Sequence, residues 1–307
     1  MPVLDSETPL STDHDAATRS DEAFNTTFRH GFTTIDGLQM HYVVGGDGPQ
    51  PIVLLHGFPQ SWYSYRELMP ELLPGRTVIA VDLPGLGDST GELPAHDKRT
   101  LARYVHELLV GLGYRTGVQL VAHDFGGGLA FALVTRYRDQ FDGLLLMDFP
   151  VVGRSLSFAA LSTFSFHFAF FQQDPLAEQL LRGRERPFLE YFTTALSPAD
   201  QPIPAAALDE YTRVYSRPGV LEHGMRWYRA WPRDEQDNAE AMAEPLTIPV
   251  RILTQEALLD TFLTALRDAA PHATGRGLAG TGHWIPEERP AEVVTEIQQF
   301  FSAQGRP

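Results

Sequence analysis

Short, continuously apolar segments alternate with helical segments over residues 50–150. A strand that is apolar at nearly every position is buried on both faces, and four segments have this character. They are PIVLLHG at residues 51–57, TVIAVDL at 77–83, VQLVAHD at 118–124 and GLLLMD at 143–148. Strands of this kind separated by helices occur in parallel, doubly wound sheets with helices on both faces. The pattern therefore predicts an α/β fold with a mostly parallel sheet.

The connecting segments follow the same logic. The predicted helices cover residues 61–73, 100–112 and 125–141, and two earlier strands cover residues 28–35 and 38–44. The dipeptide Asp36-Gly37 separates those two strands, and such a pair is typical of a tight turn. We therefore expect a hairpin to precede the alternating part of the chain.

The alternation stops at Pro150. Residues 151–238 carry apolar residues at helical spacing, broken by prolines, and α/β order returns with TIPVRILT at 247–254. Helices inserted after a strand predict a helical cap, or lid, over the carboxyl edge of the sheet. We assign residues 26–150 and 239–307 to the core, 151–238 to the cap, and 1–25, rich in Ser, Thr, Asp and Ala, to a flexible tail.

The net charge and the cysteine content restrict the kinds of partner and of chemistry that the protein can have. The chain has a net charge of −15 and no cysteine among its 307 residues. An acidic surface repels nucleic acid and anionic lipid, and the lack of cysteine excludes thiolate nucleophiles and cysteine-based metal sites. The N-terminal residues lack the features of a secretory signal, and no segment is apolar enough to span a membrane. We expect a cytoplasmic protein that acts on a small molecule without cofactor or metal, and a homodimer stays open.

The strongest local signal is VAHDFGGG at residues 121–128, where a buried strand passes directly into a helix. Ala122 lies two positions before Asp124 and Gly126 two positions after it, and small residues there suit a sharp strand-to-helix turn. A serine at the centre of such a turn needs a base, whereas a carboxylate is already an anion at neutral pH. Asp124 is thus a candidate nucleophile toward an alkyl carbon. On this octapeptide alone, a helix-capping role is equally compatible.

Two further segments carry groups that would complete a catalytic site around a nucleophile at this turn. HGFP at residues 56–59 follows a buried strand, and GHW at 282–284 precedes the last predicted helix. We expect the N–H groups of Phe58 and Phe125 to form an oxyanion hole, and His283 to activate water toward an ester. Taken singly, the first segment fits a strand-end turn and the second a structural histidine. Their order along the chain favours the catalytic interpretation.

Together, HGFPQSW, DLPGLGDS, VAHDFGGG and GHWIPEERP resemble the epoxide hydrolase and haloalkanoate dehalogenase branch of the α/β-hydrolase superfamily. The resemblance extends from about Phe28 to the C-terminus and implies an α/β-hydrolase fold with a cap domain. It implies that Asp124 attacks carbon to form an alkyl-enzyme ester and that His283 activates the hydrolytic water. It also implies that Phe58 and Phe125 supply the oxyanion-hole N–H groups.

The carboxylate that orients His283 has two candidates. Many relatives carry it in the turn after the strand that corresponds to IPVRILT, but Leu258 occupies the usual position and Asp260 lies two residues further on. A subset of the family, similar to fluoroacetate dehalogenases, places it after the preceding strand, where Asp148 ends GLLLMD. Burying a carboxylate at the end of an apolar strand costs free energy, so such a residue is a candidate for a functional role. We favour Asp148 over Asp260, and a turn-capping role before Pro150 is the alternative.

The cap carries the candidates for ring opening and substrate binding. Trp227-Tyr228-Arg229 resembles the segment that holds one ring-opening tyrosine of epoxide hydrolases, so Tyr228 is a candidate donor to the departing oxygen. The segment of the second tyrosine aligns with residues 166–172, where His167 takes its place. The protonation of a histidine depends on pH near neutrality, and packing within the cap is the alternative. The candidate substrate-binding aromatic residues are Trp62, Phe168, Trp227 and Trp284.

Epoxide hydrolysis is the leading hypothesis, and the phenylalanine-rich cap predicts an apolar or aromatic substrate. A C–halogen hydrolase that uses the same ester is second. Fluoroacetate-type relatives have arginines at the positions of Phe125 and Gly128 and a His-Trp pair at His167-Phe168, and haloalkane dehalogenases have tryptophan at Phe125. Without these donors a halide would be poorly stabilised. A binding protein or a specialised biosynthetic enzyme on the same fold is the third hypothesis.

Overall fold

The computed structural model describes residues 22–163, 165–198 and 200–303. These residues contain an eight-stranded sheet with the strand order β1-β2-β4-β3-β5-β6-β7-β8. The strands are β1 (Phe28–Ile35), β2 (Leu38–Gly45), β3 (Gln50–Leu55), β4 (Arg76–Val81), β5 (Val118–His123), β6 (Phe141–Met147), β7 (Val250–Gln255) and β8 (Thr274–Leu278). β2 pairs antiparallel with β1 and with β4, and all other neighbours are parallel. The predicted α/β class with a mostly parallel sheet is confirmed.

The side chains of the central strand β3 alternate between two hydrophobic clusters. Val53 and Leu55 belong to one cluster, and Ile52 and Leu54 belong to the other. Because successive side chains of a strand point to opposite faces, the two clusters lie on opposite sides of the sheet. All four side chains are fully buried. The sheet is therefore covered on both faces, which explains the uninterrupted apolar segments of its strands.

The helices of the described residues follow the strands in chain order. They are α1 (residues 22–27), α2 (Lys98–Gly111), α3 (Phe125–Arg136), α4 (Phe158–Leu161), α5 (Phe166–Phe171), α6 (Leu176–Leu181), α7 (Glu185–Ala195), α8 (Ala205–Tyr215), α9 (Val220–Arg229), α10 (Trp231–Ala241), α11 (Leu259–Leu266), α12 (Ile285–Glu288) and α13 (Pro290–Ser302). None of them combines the length and apolar character that a bilayer span requires.

Three elements differ from the sequence prediction. The helix expected over 61–73 is instead two 3-10 helices, Trp62–Tyr65 and Pro70–Leu72, because a proline inside a helix removes an N–H donor and clashes with the preceding turn. The helix expected over 125–141 ends at Arg136 and is followed by a 3-10 turn. β8 was not predicted, because its sequence TGRGL has one apolar residue and two glycines.

The N-terminal region was predicted to be a tail through residue 25, and residues 1–21 of it lie outside the described residues. The first described residues form α1, in which Phe24 is buried. Its ring stacks on Phe28 at 4.5 Å and on Trp62 at 5.6 Å between ring centroids. The packed structure therefore begins before residue 26, the predicted start of the core.

Seven helices, α4 to α10, lie between β6 and β7 in the chain, and polar contacts of α9 join it to α5 and α6. The Arg229 guanidinium donates to the carbonyl oxygen of Phe171 in α5 and to the carboxylate of Glu178 in α6. Gln172 donates to the carbonyl oxygen of Tyr228. These bonds fix the position of Tyr228 relative to α5, which carries His167.

A buried ion pair connects this helical segment to the core. Lys98 begins α2, and its Nζ lies 2.9 Å from Oδ2 of Asp234 in α10, with both side chains 4% exposed. The Lys98 backbone N–H donates to Oδ1 of Asp234 at 2.7 Å, and its ammonium donates to the carbonyl oxygen of Trp227 at 3.0 Å. The ammonium also lies 5.0 Å from the Phe125 ring centroid, a cation–π contact. Lys98 thus links the start of α2 to α9 and α10.

Replacing Lys98 with methionine is expected to lower the free energy of unfolding by about 3–5 kcal/mol, because the Asp234 carboxylate loses its only buried ammonium partner among the described residues. The double variant Lys98→Met/Asp234→Leu, which removes both charges, is expected to recover most of that loss. Urea unfolding of the three proteins measures both effects. A single variant within ~1 kcal/mol of the parent would contradict the prediction.

Candidate active site

Asp124 lies at the sharp turn between β5 and α3. Its backbone has φ +47° and ψ −122°, a conformation that costs a non-glycine residue about 1–3 kcal/mol. Close packing holds the turn: a Cβ on Gly126 would lie 2.3 Å from the carbonyl oxygen of Leu55, and one on Gly57 would lie 2.4 Å from the Asp124 Cβ. The glycine two residues after Asp124 is therefore required by contact with β3. The side chain is held at the carboxyl edge of the sheet.

One backbone N–H group is hydrogen-bonded to this carboxylate, and a second belongs to the residue that follows Asp124 in the chain. The Phe58 N–H donates to Oδ1 of Asp124 at 2.7 Å. Phe125 is the first residue of α3, and N–H groups in the first turn of a helix have no partner within the helix. The structure thus brings both residues of the predicted oxyanion hole to Asp124.

His283 lies between two carboxylates. Its Nδ1 is 2.7 Å from Oδ2 of Asp148, and its Nε2 is 3.5 Å from Oδ2 of Asp124. Burial favours the neutral imidazole, but the hydrogen bonds and charges of Asp124 and Asp148 outweigh it and raise the pKa of His283 to about 10. Burial also opposes ionisation of Asp124, yet the bond to His283, its charge and the Phe58 N–H hold the pKa of Asp124 at about 2. The nucleophile candidate is therefore an anion across the neutral range.

Asp148 is fixed by residues that the sequence analysis did not select. Thr254 Oγ1 donates to its Oδ1, and the side-chain amide of Gln255 donates to its Oδ2 at 3.0 Å. These bonds and the bond to His283 lower its pKa against the effect of burial. Thr254 and Gln255 end β7, which pairs with β6. The two polar residues that follow the apolar pair Ile252-Leu253 at the end of β7 are the signal that could have identified them.

Asp260, the alternative partner of His283, is exposed in the first turn of α11. Leu258, at the position where many relatives carry the acid, instead lines the cavity above Asp124. Only Asp148 of the two candidates is hydrogen-bonded to the imidazole. The geometry therefore supports the preference for Asp148.

We expect Asp148→Asn to lower kcat by about 10²-fold, because an amide no longer stabilises the positive imidazole or fixes its tautomer. Asp260→Asn, the same chemical change at an exposed site, is expected to leave kcat within about twofold. Steady-state rates of both variants on one substrate measure the difference. Equal losses in both variants, or a loss only at Asp260, would show that Asp148 is not the partner.

A cavity of about 200 Å³ lies above Asp124 and His283. Its wall is mostly apolar and includes Phe149, Leu161, Phe168, Trp231, Leu258 and Phe262. Tyr228 and His167 also line it, with their ring centroids 5.1 Å apart. The structure therefore brings together Asp124, His283, Asp148, Tyr228, His167 and Phe168 around one space.

Three of the four predicted substrate-binding residues do not line this cavity. Trp62 packs between Phe24 and His30 in the second hydrophobic cluster. Trp227 is fully buried and stacks on the Phe125 ring at 5.3 Å, and Trp284 is fully buried with its indole N–H donating to the carbonyl oxygen of Thr193. The prediction is wrong for these residues, because tertiary packing places them behind the site. Trp231, which the sequence analysis missed, lines the cavity.

One group of side chains among the described residues has the spacing of metal ligands. The ligand atoms of His41, Asp82 and Asp88 lie within 4.8 Å of one another. Asp82 already accepts hydrogen bonds from His41 and from the Asp88 N–H, and Asp88 is paired with Arg213 and Arg217. These donors occupy the oxygens that a cation would need, so we assign these three side chains a structural role at the carboxyl end of β4.

Comparisons with known proteins identify the family of the chain. The model of a family described as alpha/beta hydrolase fold matches residues 50–290. The chain belongs to this family. Within the family it is similar to the soluble epoxide hydrolase of Corynebacterium sp. strain C12, with 35% identity over 91% of this chain and 99% of the relative. It is also similar to epoxide hydrolase 3 of Xenopus tropicalis, with 28% identity over 89% of this chain and 78% of the relative.

Two solved structures are similar to this chain over about nine-tenths of its length. The epoxide hydrolase CorEH without ligand has a TM-score of 0.84 and 33% identity, covering 91% of this chain and 100% of that one. Wild-type Cfl2 from Burkholderia cenocepacia also has a TM-score of 0.84, with 34% identity over 90% of this chain and 96% of that one. The predicted family and α/β-hydrolase fold are therefore confirmed, and the protein is a hydrolase.

Proposed function

We propose that the protein hydrolyses an epoxide to a vicinal diol through an ester on Asp124. The carboxylate of Asp124 attacks an epoxide carbon, the C–O bond breaks, and the departing oxygen receives a proton from the cap. The ester removes the charge of Asp124, so His283, oriented by Asp148, can take a proton from a water molecule that attacks the ester carbonyl. The ester C–O bond then breaks, the diol leaves with the proton from His283, and the second proton of the water restores the cap donor as Asp124 returns to a carboxylate. The observation that carries this proposal is an ionised carboxylate on a strained turn, 3.5 Å from an imidazole, beneath a capped apolar cavity.

The N–H groups of Phe58 and Phe125 serve the second step. Attack of water on the ester places a negative charge on a carboxyl oxygen of Asp124. Phe58 already donates to Oδ1 of this group at 2.7 Å, so it is in place before the charge develops. Donors that are fixed in advance stabilise such an oxyanion without reorganisation.

Tyr228 and His167 are the proposed donors to the epoxide oxygen. Burial, together with the charge of Asp124, raises the pKa of Tyr228 well above its usual value, so its hydroxyl keeps its proton. Burial lowers the pKa of His167 to about 3, so this imidazole is neutral near pH 7. Its Nδ1 lies 2.8 Å from the hydroxyl oxygen of Ser165. When Ser165 donates to Nδ1, the proton of the neutral ring lies on Nε2 and is available to a ligand.

Tyr228→Phe is expected to lower kcat about 10²-fold, with KM changed much less, because the hydroxyl acts as the oxygen leaves rather than when substrate binds. His167→Phe, which keeps an aromatic ring in the cap, is expected to cause a similar loss. Pre-steady-state measurement of ester formation isolates the step. Slower ester hydrolysis with unchanged ester formation would remove both residues from ring opening.

The wall of the cavity supports an apolar substrate. Aromatic and aliphatic side chains of the cap and of the β6 and β7 ends form most of it, and Asp124 and Asp148 are its carboxylates. A charged group on the substrate would lose its hydration there without gaining a partner. We therefore propose small apolar or aryl epoxides, such as those of the styrene oxide type, as substrates.

The function is tested with a panel of aryl and alkyl epoxides and a chloroalkane of matched size for each. Diol formation from epoxides, without halide release from the chloroalkanes, is the expected result. Halide release without diol would support the C–halogen hydrolase alternative, which uses the same ester. Binding of the panel without turnover, unaffected by Asp124→Ala, would instead support the third alternative, a binding protein or an enzyme of other chemistry. Homodimer formation and a cytoplasmic location stay predictions, which sedimentation and cell fractionation can test.

A further inference from the structure

A buried chain of hydrogen bonds begins at the backbone of His283. Nε2 of His123 lies 2.7 Å from the carbonyl oxygen of His283, and Nδ1 of His123 lies 2.9 Å from Oε1 of Gln60. The Gln60 amide nitrogen lies 2.5 Å from Oε2 of Glu287, and the Tyr211 hydroxyl donates to Oε1 of Glu287 at 2.8 Å. His123 and Gln60 are fully buried. The chain therefore connects the loop of His283 to β5, α12 and α8.

The donors and acceptors of this chain are compatible with only two proton arrangements. The carbonyl oxygen of His283 accepts only, so Nε2 of His123 must carry a proton. If His123 is neutral, its Nδ1 accepts, Gln60 must turn its NH₂ toward it, and the amide oxygen then faces Glu287, which must be protonated to donate. If Glu287 is ionised, Gln60 points its NH₂ at Glu287, and Nδ1 of His123 must be protonated to reach the amide oxygen. In both arrangements one proton is shared between His123 and Glu287.

The surroundings of His123 oppose a positive charge. The ring is fully buried and lies 4.9 Å from the His283 ring, centroid to centroid. Burial and the charge of His283 lower the pKa of His123 to about 4, against the opposite effect of Asp124 and Asp148. Two cations side by side would repel each other. His123 is therefore the weaker site for the shared proton.

The surroundings of Glu287 oppose a negative charge. Glu67 and Glu288 are its acidic neighbours, and Tyr211 and Gln60 are its hydrogen-bond donors. Burial raises the pKa of Glu287 to about 7, supported by Glu67 and Glu288 and against the bonds from Tyr211 and Gln60. The carboxyl group is thus the stronger site for the proton below neutral pH.

We infer that Glu287 holds the single proton of this chain and, through a Gln60 amide turned over from the orientation given above, keeps His123 uncharged while His123 positions the loop of His283. Ionisation of Glu287 then breaks one bond of the chain. The Gln60 oxygen must face either the ionised carboxylate of Glu287 or the unprotonated Nδ1 of His123, and neither of these groups can donate to it. Glu287 is a positioning residue that acts on His283 through Gln60 and His123. Its link to turnover rests on the proposed function, whereas its protonation does not.

The protonation is tested by infrared difference spectroscopy of the full-length protein. A protonated carboxylic acid has a carbonyl band that an ionised carboxylate lacks. We expect wild-type protein at about pH 5.5 to show a band that is absent in Glu287→Gln and present in the control Glu67→Gln, since Glu67 is exposed. The band is expected to vanish as pH rises through about 7. A spectrum in which Glu287→Gln removes no such band would place the proton on His123 and overturn the inference.

The consequence for turnover is tested by the ratio of kcat of Glu287→Gln to that of the wild type. Glutamine supplies an NH₂ donor to Gln60 and an acceptor to Tyr211, as the protonated acid does, but it does not ionise. The ratio is expected to increase by about 2- to 10-fold between pH 5.5 and 8.5, because only the wild type loses a hydrogen bond as Glu287 ionises. The pH dependence of His283 itself is common to both proteins and cancels in the ratio. A ratio that is constant with pH would show that the protonation of Glu287 does not affect the positioning of His283. If Glu287→Gln does not fold, the pH titration of the wild-type band decides the assignment.

Discussion

Replacing Asp124 with alanine is expected to abolish epoxide turnover, with kcat/KM lower by about 10⁴- to 10⁶-fold, as when other covalent nucleophiles are removed. The described residues of the cavity wall offer no second nucleophile that could substitute for it. Asp148 is the other carboxylate of the cavity wall, and its oxygens are held by Thr254, Gln255 and His283. The variant is also expected to form no ester in a single turnover, which intact-protein mass spectrometry measures.

The isotope content of the diol provides an independent check of this nucleophile. In a single turnover in ¹⁸O-labelled water, the wild type is expected to form diol with no label, because the oxygen that enters comes from Asp124. The label then remains in the carboxylate and reaches the diol in later turnovers. Label in the first diol would show that water attacks the epoxide directly, and Asp124 would then act as a base. A cooperative unfolding transition in Asp124→Ala is the control for its fold.

The part of the site that sequence alone predicted is the part that has a short, local sequence signal. Asp124 could be recognised because a strand-to-helix turn needs a glycine at position 126, where a Cβ would meet the backbone of β3. The buried strands could be recognised because both-face burial requires an apolar residue at every position. Both signals lie within a few residues of the feature that they predict.

The elements that were missed depend on contacts distant in sequence. The tryptophans at 62, 227 and 284 look equivalent to Trp231 by residue type, and only the tertiary packing of the core and the cap shows which one reaches the cavity. The short edge strand β8 is held by its pairing with β7 rather than by an apolar pattern. The sequence favoured Asp148 over Asp260, and the hydrogen bond from His283, 135 residues away, supports that preference.

Replacing His283 with glutamine is expected to separate the two steps of the reaction. Ring opening needs only the Asp124 anion and the cap donors, so ester formation continues, whereas hydrolysis loses its base and slows by about 10³-fold or more. Ester equal to one substrate mass per chain is expected to accumulate on the peptide that contains Asp124. His272→Gln, at an exposed histidine that bonds the Ile248 carbonyl oxygen, is the matched control and is expected to accumulate none.

The pH dependence of the wild-type hydrolysis step follows from the same geometry. The two carboxylates raise the pKa of His283 to about 10 in the free enzyme, but the ester removes the charge of Asp124, and the pKa then falls because only Asp148 remains ionised. We expect the rate of ester hydrolysis to increase with pH to a plateau whose midpoint lies below 10, while the rate of ester formation stays flat down to the acid range. Rapid-quench measurements between pH 5 and 10 separate the two rates. An ester that also decays in His283→Gln with the wild-type pH profile would assign the base to another residue.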